Sequence, residues 1–370
     1  MTTTLEVSRL HDVLGALVEH APGMLRALGR LETKCVADDL GEIAVDRSIY
    51  VSGLARAGTT ILLESLAVHR DIASHQYRDF PFVHTPVWWN WFLDRAGSAQ
   101  AAAVERAHKD RILVTPQSPE AMEEVIWMSF FPDIHDPSVC NVLGRGDAAP
   151  EFERFYRDHL HKLIKVRGGS RYLAKGNYNV ARLGMLHRMF PDACFVIAVR
   201  DAVQHVASLI KQHRLFCEAE SRNPKVLAYM RRSGHFEFGL DRRPINFGDG
   251  AAVQRIQAAW AEGDDVRGYA ILWAATYAFI MDLLENDAAL ASRVAIVHYD
   301  DLCADPAGTL RRLHRHCELG CTEERIEGQA SRIAAPSYYR ADLTTRDREI
   351  IRSETEDVST RLQQARSSLQ

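Results

Sequence analysis

The chain has 370 residues, of which 46% are hydrophobic and 25% are charged, and its formal net charge at pH 7 is −4. This composition is that of an ordinary folded protein and excludes collagen-like, coiled-coil and low-complexity sequences. The slightly negative charge argues against a general nucleic-acid binder, so we expect no nucleic-acid partner.

The expected location is the cytoplasm. Seven cysteines, an odd number scattered along the chain, indicate free thiols in a reducing compartment rather than a disulfide framework. The first residues lack the charged-then-apolar pattern of a signal peptide. The longest apolar run, residues 269–284, is shorter than the roughly 20 residues of a membrane span. It therefore predicts a buried helix and no transmembrane segment.

Hydrophobic periodicity predicts strands and helices that alternate along the chain. Residues 7–31 have helical spacing that is broken at Pro22 and Gly23. The predicted strands are 48–52, 171–175, 193–199 and 294–299, and the predicted helices between them are 61–68, 178–189, 203–216 and 254–284.

This alternation predicts one α/β domain, residues 1–370, in which a parallel sheet lies between helical layers. The three-layer, P-loop-like core would carry an N-terminal helical extension, residues 1–45. Residues 80–165 and 215–255 are interpreted as insertions between core elements. The second insertion overlaps a basic stretch, Lys211 to Arg243, which favours either a solvated surface or a surface that meets an anion.

A glycine-rich loop follows the first predicted strand. Residues 53–60 are Gly-Leu-Ala-Arg-Ala-Gly-Thr-Thr, and glycines between a strand and a helix let backbone N–H groups converge on an anion. The loop approaches the Walker pattern, but Thr59 stands where that pattern has the phosphate-binding lysine. The cation lies earlier, at Arg56.

A second phosphate-binding pair is suggested by the strongest strand. Arg200 ends this strand, and Ser208 follows eight residues later on the next helix. Eight residues span a turn and about one and a half helical turns, so the hydroxyl can face back toward the guanidinium. Arginine is suited to bidentate phosphate recognition.

These blocks, together with Tyr172 to Lys175 and the strand and turn at 294–306, resemble in residues and order the sulfotransferases that use 3′-phosphoadenosine 5′-phosphosulfate (PAPS). The resemblance points to a bacterial branch, closer to the carbohydrate and tyrosyl-protein enzymes than to the cytosolic small-molecule enzymes. It implies metal-independent transfer of a sulfuryl group from PAPS to a hydroxyl, less often an amine, of a glycan, lipid or small molecule. The co-product would be 3′-phosphoadenosine 5′-phosphate (PAP), and the two insertions would lie on the acceptor side. Whether the chain forms a homo-oligomer stays open.

The resemblance also implies roles for individual residues. Arg56 and Lys175 would neutralise charge at the transferring group. The cofactor-binding residues would be Arg56, Ala57, Gly58, Thr59, Thr60, Arg200, Ser208 and Tyr299.

The general base departs from the best-known pattern. The cytosolic enzymes carry a histidine where this chain has Asn177, whose amide cannot accept the proton. The carbohydrate and tyrosyl-protein enzymes use a carboxylate shortly after the loop helix, and the nearest such residue here is Asp79. Asp79 is therefore our predicted base, and the alternatives are His75, His84, Glu120, Glu123 and Glu124.

Two other functions stay open from the sequence alone. One is a P-loop kinase or NTPase-like protein in which Tyr299-Asp300 ends a Walker-B-like strand. The other is a relative that binds the cofactor without turnover. We predict no metal site, although His314, Cys317 and Cys321 share one helical face, with His316 beside them.

Overall fold

The computed structural model describes residues 12, 15–16, 19–41, 43–96, 103–105, 113–333 and 342–367. Five strands form one parallel sheet in the order β2-β5-β1-β6-β7, and β3 and β4 form a separate antiparallel pair. The predicted α/β class is thereby confirmed. The strands are β1 (Ile49–Ser52), β2 (Ile72–Ser74), β3 (Val104–Glu105), β4 (Leu113–Val114), β5 (Arg171–Lys175), β6 (Cys194–Val199) and β7 (Val294–His298).

The apolar side chains of β1 pack on both faces of the sheet. Tyr50 belongs to the larger apolar cluster, whereas Ile49 and Val51 belong to a second cluster on the opposite face. One strand contributes to both clusters because successive side chains of a strand point to opposite sides of the sheet. Helices cover both faces, which gives the predicted three layers.

The helices within the described ranges lie at both faces and at the ends of the sheet. Their bounds are Pro22–Cys35, Ala37–Leu40, Thr59–Ala67, Pro86–Arg95, Glu124–Phe130, Pro150–Arg167, Leu183–Met189, Ala202–Arg222, Pro224–Ser233, Gly250–Ala261, Asp265–Asn286, Ala288–Ala291, Tyr299–Ala304, Pro306–His316, Glu323–Ala330 and Thr345–Ser367, with 3₁₀ turns at Tyr77–Asp79 and Asn177–Ala181.

The carboxyl ends of the parallel strands meet at one edge of the sheet. Val51 pairs with Lys175, and Ser52 pairs with Ile197. The glycine loop after β1 therefore lies between the end of β5, at Lys175, and the end of β6, just before Arg200. This register brings together residues that are more than a hundred positions apart in sequence.

Two predicted helices are interrupted. The predicted helix 254–284 is two helices, because Gly263 adopts a left-handed φ of 81° and the Asp264 side chain then accepts a hydrogen bond from the Arg267 N–H. Such residues end one helix and cap the next. The predicted helix 178–189 begins as the 3₁₀ turn Asn177–Ala181 and continues as an α-helix from Leu183.

Several elements have no counterpart in the sequence prediction. Strand β2 has three residues, too few to show a period, and the C-terminal helix Thr345–Ser367 packs on Asp265–Asn286. The helix Pro150–Arg167 packs against β2 and β5, so the segment 80–165 ends in a helix of the core. The predicted helix over residues 7–21 lies partly outside the described residues. In the described part of the chain, no helix is long and apolar enough to cross a membrane.

Candidate active site at the carboxyl edge of the sheet

The two glycines of the loop 53–60 hold backbone positions that a side chain would block. Gly53 has φ 137°, and a Cβ built on it would lie 2.5 Å from the Ala198 carbonyl oxygen. Gly58 has φ 101°, and its Cβ would lie 2.7 Å from Cδ2 of Tyr299. Arg56 also has a positive φ, 73°, which is uncommon for a residue with a side chain. The loop therefore packs tightly between β6 and the helix that begins at Tyr299.

Arg200 lies against this loop. One of its guanidinium nitrogens, Nη1, donates to the Arg56 carbonyl oxygen at 3.4 Å, and its Cζ lies 4.9 Å from the centre of the Tyr299 ring. The residue is only 6% exposed, and burial lowers the pKa of Arg200. Its Nε is buried and has no hydrogen-bond partner among the described residues. The structure thus holds a desolvated cation with one donor unused, next to the loop.

The helix Ala202–Arg222 is fixed to the loop by a histidine. The Asp201 side chain caps this helix by accepting a hydrogen bond from the Gln204 N–H at 3.0 Å. One turn later, His205 Nε2 donates to the Ala55 carbonyl oxygen at 2.8 Å, and burial lowers the pKa of His205 to about 3. Ser208 is three residues further on, hence on the same helical face, and is buried. This face therefore looks toward the loop.

A polar cluster adjoins the loop on the β5 side. We define it as Lys175, Asn177, Glu120, His235 and Glu237. Lys175 Nζ lies 3.3 Å from Glu120 Oε1, and both side chains are buried. The Asn177 amide donates to Glu237 Oε1 at 2.8 Å, and Glu237 Oε2 lies 3.5 Å from His235 Nδ1.

Thr59 connects the loop to this cluster. The Thr59 hydroxyl donates to the Asn177 side-chain oxygen at 3.5 Å, a long contact, and the same amide group reaches Glu237. Thr59 and Thr60 open the loop helix, Thr59–Ala67, and the N-terminus of a helix favours negative charge. The start of this helix and a set of titratable groups are therefore adjacent.

The histidine and carboxylate of the cluster shift each other's pKa. Burial lowers the pKa of His235, but the hydrogen bond and charge of Glu237 together with the charge of Glu120 outweigh burial, and the pKa is raised. Burial raises the pKa of Glu237, but the hydrogen bond and charge of His235 together with the hydrogen bond from Asn177 outweigh burial, and the pKa is lowered. The His235 side chain keeps 31% of its surface exposed. It is thus a histidine with a carboxylate partner and access to solvent.

Asp79, the base expected from the sequence, is enclosed by donors. Its carboxylate is 1% exposed and accepts from His75 Nδ1 at 3.2 Å, the Gln76 N–H at 2.9 Å, Asn90 Nδ2 at 3.2 Å and Arg167 Nη2 at 2.5 Å. Burial alone raises the pKa of Asp79, but His75 and Arg167 hold it well below its usual range. These contacts are those of a structural carboxylate that joins β2 to the helix Pro150–Arg167.

We expect Asp79→Asn to lower the free energy of unfolding at pH 7 by about 1–3 kcal/mol, because buried donors lose a charged acceptor. The folded-state pKa of Asp79 is depressed, so its contribution is present above the unfolded value of about 3.9 and is lost as the pH falls below it. Urea unfolding between pH 3 and 6 should therefore show a steeper acid loss for the wild type than for Asp79→Asn. Equal slopes would contradict this assignment.

The other candidate bases differ in their burial and in the hydrogen bonds that their side chains already make. Glu123 and Glu124 are buried and accept several hydrogen bonds each, and His84 is buried with its pKa lowered to about 3 by burial. His75 Nε2 faces His159 Nε2 at 3.1 Å, and both rings are buried. The donors to the two glutamates are Tyr156, Tyr172, Asn179 and Trp127 for Glu123, and Arg182 and His135 for Glu124. Of these candidates, Glu120 is the one that contacts the end of β5.

His235 and Glu237 were missed by sequence reasoning. They lie in the segment 215–255, whose basic character drew attention to its Lys and Arg residues instead. Six of those basic residues form ion pairs with carboxylates: Arg222, Lys225, Arg231, Arg232, Arg242 and Arg243. The signal that could have found the pair is a histidine two residues before a glutamate, although this pattern alone has little specificity.

A metal site would need several His, Cys, Asp or Glu side chains close together. Within the described ranges, no group of three or more His, Cys, Asp or Glu side chains is placed to hold a metal ion. This includes the helix Pro306–His316 and the residues after it, where the sequence gathers His314, His316, Cys317 and Cys321.

Comparison with known proteins gives one family. Residues 48–223 match the model described as the Sulfotransferase family. This segment contains the glycine loop, Lys175, Arg200 and Ser208, and it makes up just under half of the chain. The resemblance to the sulfotransferases stated from the sequence is thereby confirmed over residues 48–223. No curated protein matches the sequence.

Solved structures that resemble the chain include three bacterial sulfotransferases. STF1 of Mycobacterium tuberculosis H37Rv is 15% identical with a TM-score of 0.49, covering 89% of this chain and 81% of that one. STF9 of Mycobacterium avium is 16% identical with a TM-score of 0.49, covering 88% and 80%. The sulfotransferase of Alicyclobacillus acidocaldarius is 14% identical with a TM-score of 0.41, covering 87% and 96%.

Proposed function

We propose that this chain is a PAPS-dependent sulfotransferase that moves a sulfuryl group onto a hydroxyl, less often an amine, of a glycan, lipid or small molecule. The observation that carries the proposal is the buried Arg200, with its unpartnered Nε, beside a glycine loop that opens a helix. A desolvated guanidinium with an unused donor is suited to a phosphate. A loop of this kind is suited to a second anionic group.

The residues present fit the two anionic ends of PAPS. Arg200 and Ser208 would hold the 3′-phosphate. The loop Arg56, Ala57, Gly58, Thr59 and Thr60 would hold the 5′-phosphosulfate through side chains and helix N-terminal amides. A Cβ at Gly58 would collide with the Tyr299 ring, which lies over Arg200, so the glycine keeps this corner compact.

The chemistry that PAPS supplies is an activated sulfuryl group with a phosphate leaving group. Sulfuryl transfer, like phosphoryl transfer, depends mostly on positioning and on neutralising the leaving charge. Arg56 and Lys175 are the cations proposed for this role, and their presence is why we propose metal-independent catalysis. Lys175 is held by Glu120, which fixes its ammonium at the end of β5. We also propose a cytoplasmic location for the enzyme.

Calorimetry with the product nucleotide tests the proposal. We expect PAP to bind far more tightly than AMP in the presence of EDTA, because only PAP carries the phosphate that Arg200 and Ser208 would hold. Titration with ATP, with and without magnesium, is the control for a kinase or NTPase. Equal affinities for PAP and AMP, or tight binding of ATP only with magnesium, would contradict the sulfotransferase proposal.

A further inference from the structure

We propose that His235 is the general base that removes the proton from the acceptor, and that Glu237 positions its imidazole. This inference rests on the proposed function and deepens it, because it assigns the proton transfer to a residue pair outside residues 48–223, the segment that matches the family model.

Side-chain contacts link His235 to the glycine loop. Thr59, in the glycine loop, contacts the Asn177 side chain, and Asn177 donates to Glu237 at 2.8 Å. Glu237 in turn lies 3.5 Å from His235 Nδ1. A chain of three side-chain contacts therefore joins the loop to His235. The imidazole lies on the side of Lys175 and Glu120, where Asn177 stands in the place of the family's histidine.

Glu237 orients the ring of His235. Nδ1 faces the Glu237 carboxylate, and Nε2 makes no hydrogen bond within the described part of the chain. A carboxylate on one ring nitrogen fixes the tautomer in which the other nitrogen accepts a proton. The side chain is 31% exposed, and in the proposal the acceptor hydroxyl approaches the ring at Nε2.

Three charged groups surround the ring of His235. The charged groups that act on His235 are Glu237 on its own segment, Glu120 before the helix Glu124–Phe130, and Lys175 at the end of β5. The two carboxylates raise the pKa of His235, and burial and Lys175 lower it, with a net increase from 6.5. The carboxylates thus stabilise the protonated ring that would form when His235 takes the proton of the acceptor.

The remaining members of the cluster are less suited to proton transfer. Asn177 is an amide and cannot act as a base. Glu120 Oε1 already accepts from Lys175 and from the Ala121 N–H at 2.7 Å. Asp79, outside the cluster, is enclosed by four donors. His235 combines a carboxylate partner with a side chain that is 31% exposed.

In the proposed step, the acceptor loses a proton and gains a sulfuryl group. The acceptor O–H bond breaks, and its proton forms a new N–H bond with His235 Nε2. The acceptor oxygen forms a bond to sulfur while the bond from sulfur to the bridging oxygen of the phosphosulfate breaks. That electron pair stays on the 5′-phosphate of PAP. The imidazolium, stabilised by Glu237, afterwards returns its proton to water.

Because the acceptor is unidentified, the test uses two probes: water, followed as slow [³⁵S]sulfate release from PAPS, and 4-nitrophenol, followed as labelled product. We expect His235→Gln to lower both rates by about 10²- to 10⁴-fold, the range of general base catalysis. PAP affinity should change less than threefold, which shows that the variant is folded. The matched control is His161→Gln, a histidine on the helix Pro150–Arg167, which should keep the wild-type rates.

Glu237→Gln tests the positioning role. Without the carboxylate the pKa of His235 should fall, so the rising limb of the pH–rate profile should move to lower pH and the maximal rate should decrease. The His235 ring signal in NMR titrations should move in the same direction. A purely structural role would lower the rate without moving the profile.

Three results would overturn the inference: wild-type rates in His235→Gln, a wild-type pH profile in Glu237→Gln, or a His235 titration that does not respond to Glu237→Gln. These are distinct from failure of the proposed function. If wild-type protein binds AMP as well as PAP and neither probe reacts, the sulfotransferase proposal fails. The NMR titration still tests the pair in that case.

Discussion

Replacing Arg56 with alanine is expected to reduce PAPS turnover by about 10³-fold or more. The reason is electrostatic: a positioned arginine that neutralises charge in the transition state of a related transfer contributes about 10³- to 10⁵-fold. Arg56 is held in the loop at a positive φ, and its carbonyl oxygen accepts from Arg200, so its backbone is fixed. The measurement is [³⁵S]sulfate release from PAPS under single-turnover conditions.

The matched control for Arg56 is Arg70→Ala. Arg70 follows the loop helix, and its side chain is 85% exposed, so its loss should leave turnover unchanged. PAP affinity of Arg56→Ala should fall less than turnover, because the proposed role is greatest in the transition state. A variant that turns over PAPS within tenfold of the wild-type rate would show that Arg56 does not neutralise the leaving group.

Arg200→Ala is expected to weaken PAP binding by about 2–5 kcal/mol, or roughly 30-fold to several thousandfold. The guanidinium is 6% exposed and has an unused Nε, so the phosphate would lose a desolvated, charge-assisted partner. AMP binding should be nearly unchanged, since AMP lacks the 3′-phosphate. Calorimetry on both ligands isolates the effect of that phosphate.

Ser208→Ala provides the graded comparison. Loss of a neutral hydroxyl should weaken PAP binding by about 0.5–1.5 kcal/mol, less than loss of the guanidinium. If Arg200→Ala weakens PAP and AMP equally, or changes PAP binding by less than about 0.5 kcal/mol, the assignment of the 3′-phosphate to Arg200 and Ser208 is wrong.

The central sheet could be predicted from the sequence because its strands are strongly apolar. The runs at 171–175 and 193–199 were located to within one residue, since a buried parallel strand is a continuous apolar run. Strand β2 was missed because three residues carry too little pattern. The order of strands is a long-range property, and no local spacing showed that β5 inserts between β2 and β1.

The candidate site was predicted in part. The glycine loop and Arg200 could be found because their spacing follows from one strand, one turn and one helix. The position of a candidate general base depends on tertiary contacts, which sequence spacing does not show. Asp79 was chosen by its distance in sequence from the loop helix, and the structure surrounds it with four donors. His235 lies in a separate segment, and contacts through Glu237 and Asn177 link it to the carboxyl edge of the sheet.

The central claim is sulfuryl transfer, and it is tested most directly by incubating the protein with [³⁵S]PAPS and an extract of the producing organism. Products are then separated and identified by mass spectrometry. The account predicts one labelled hydroxyl-bearing product, formed in equal amount with PAP, and its loss in Arg56→Ala. Tight binding of PAP without any labelled product, in every fraction of the extract, would contradict catalysis and favour a cofactor-binding relative.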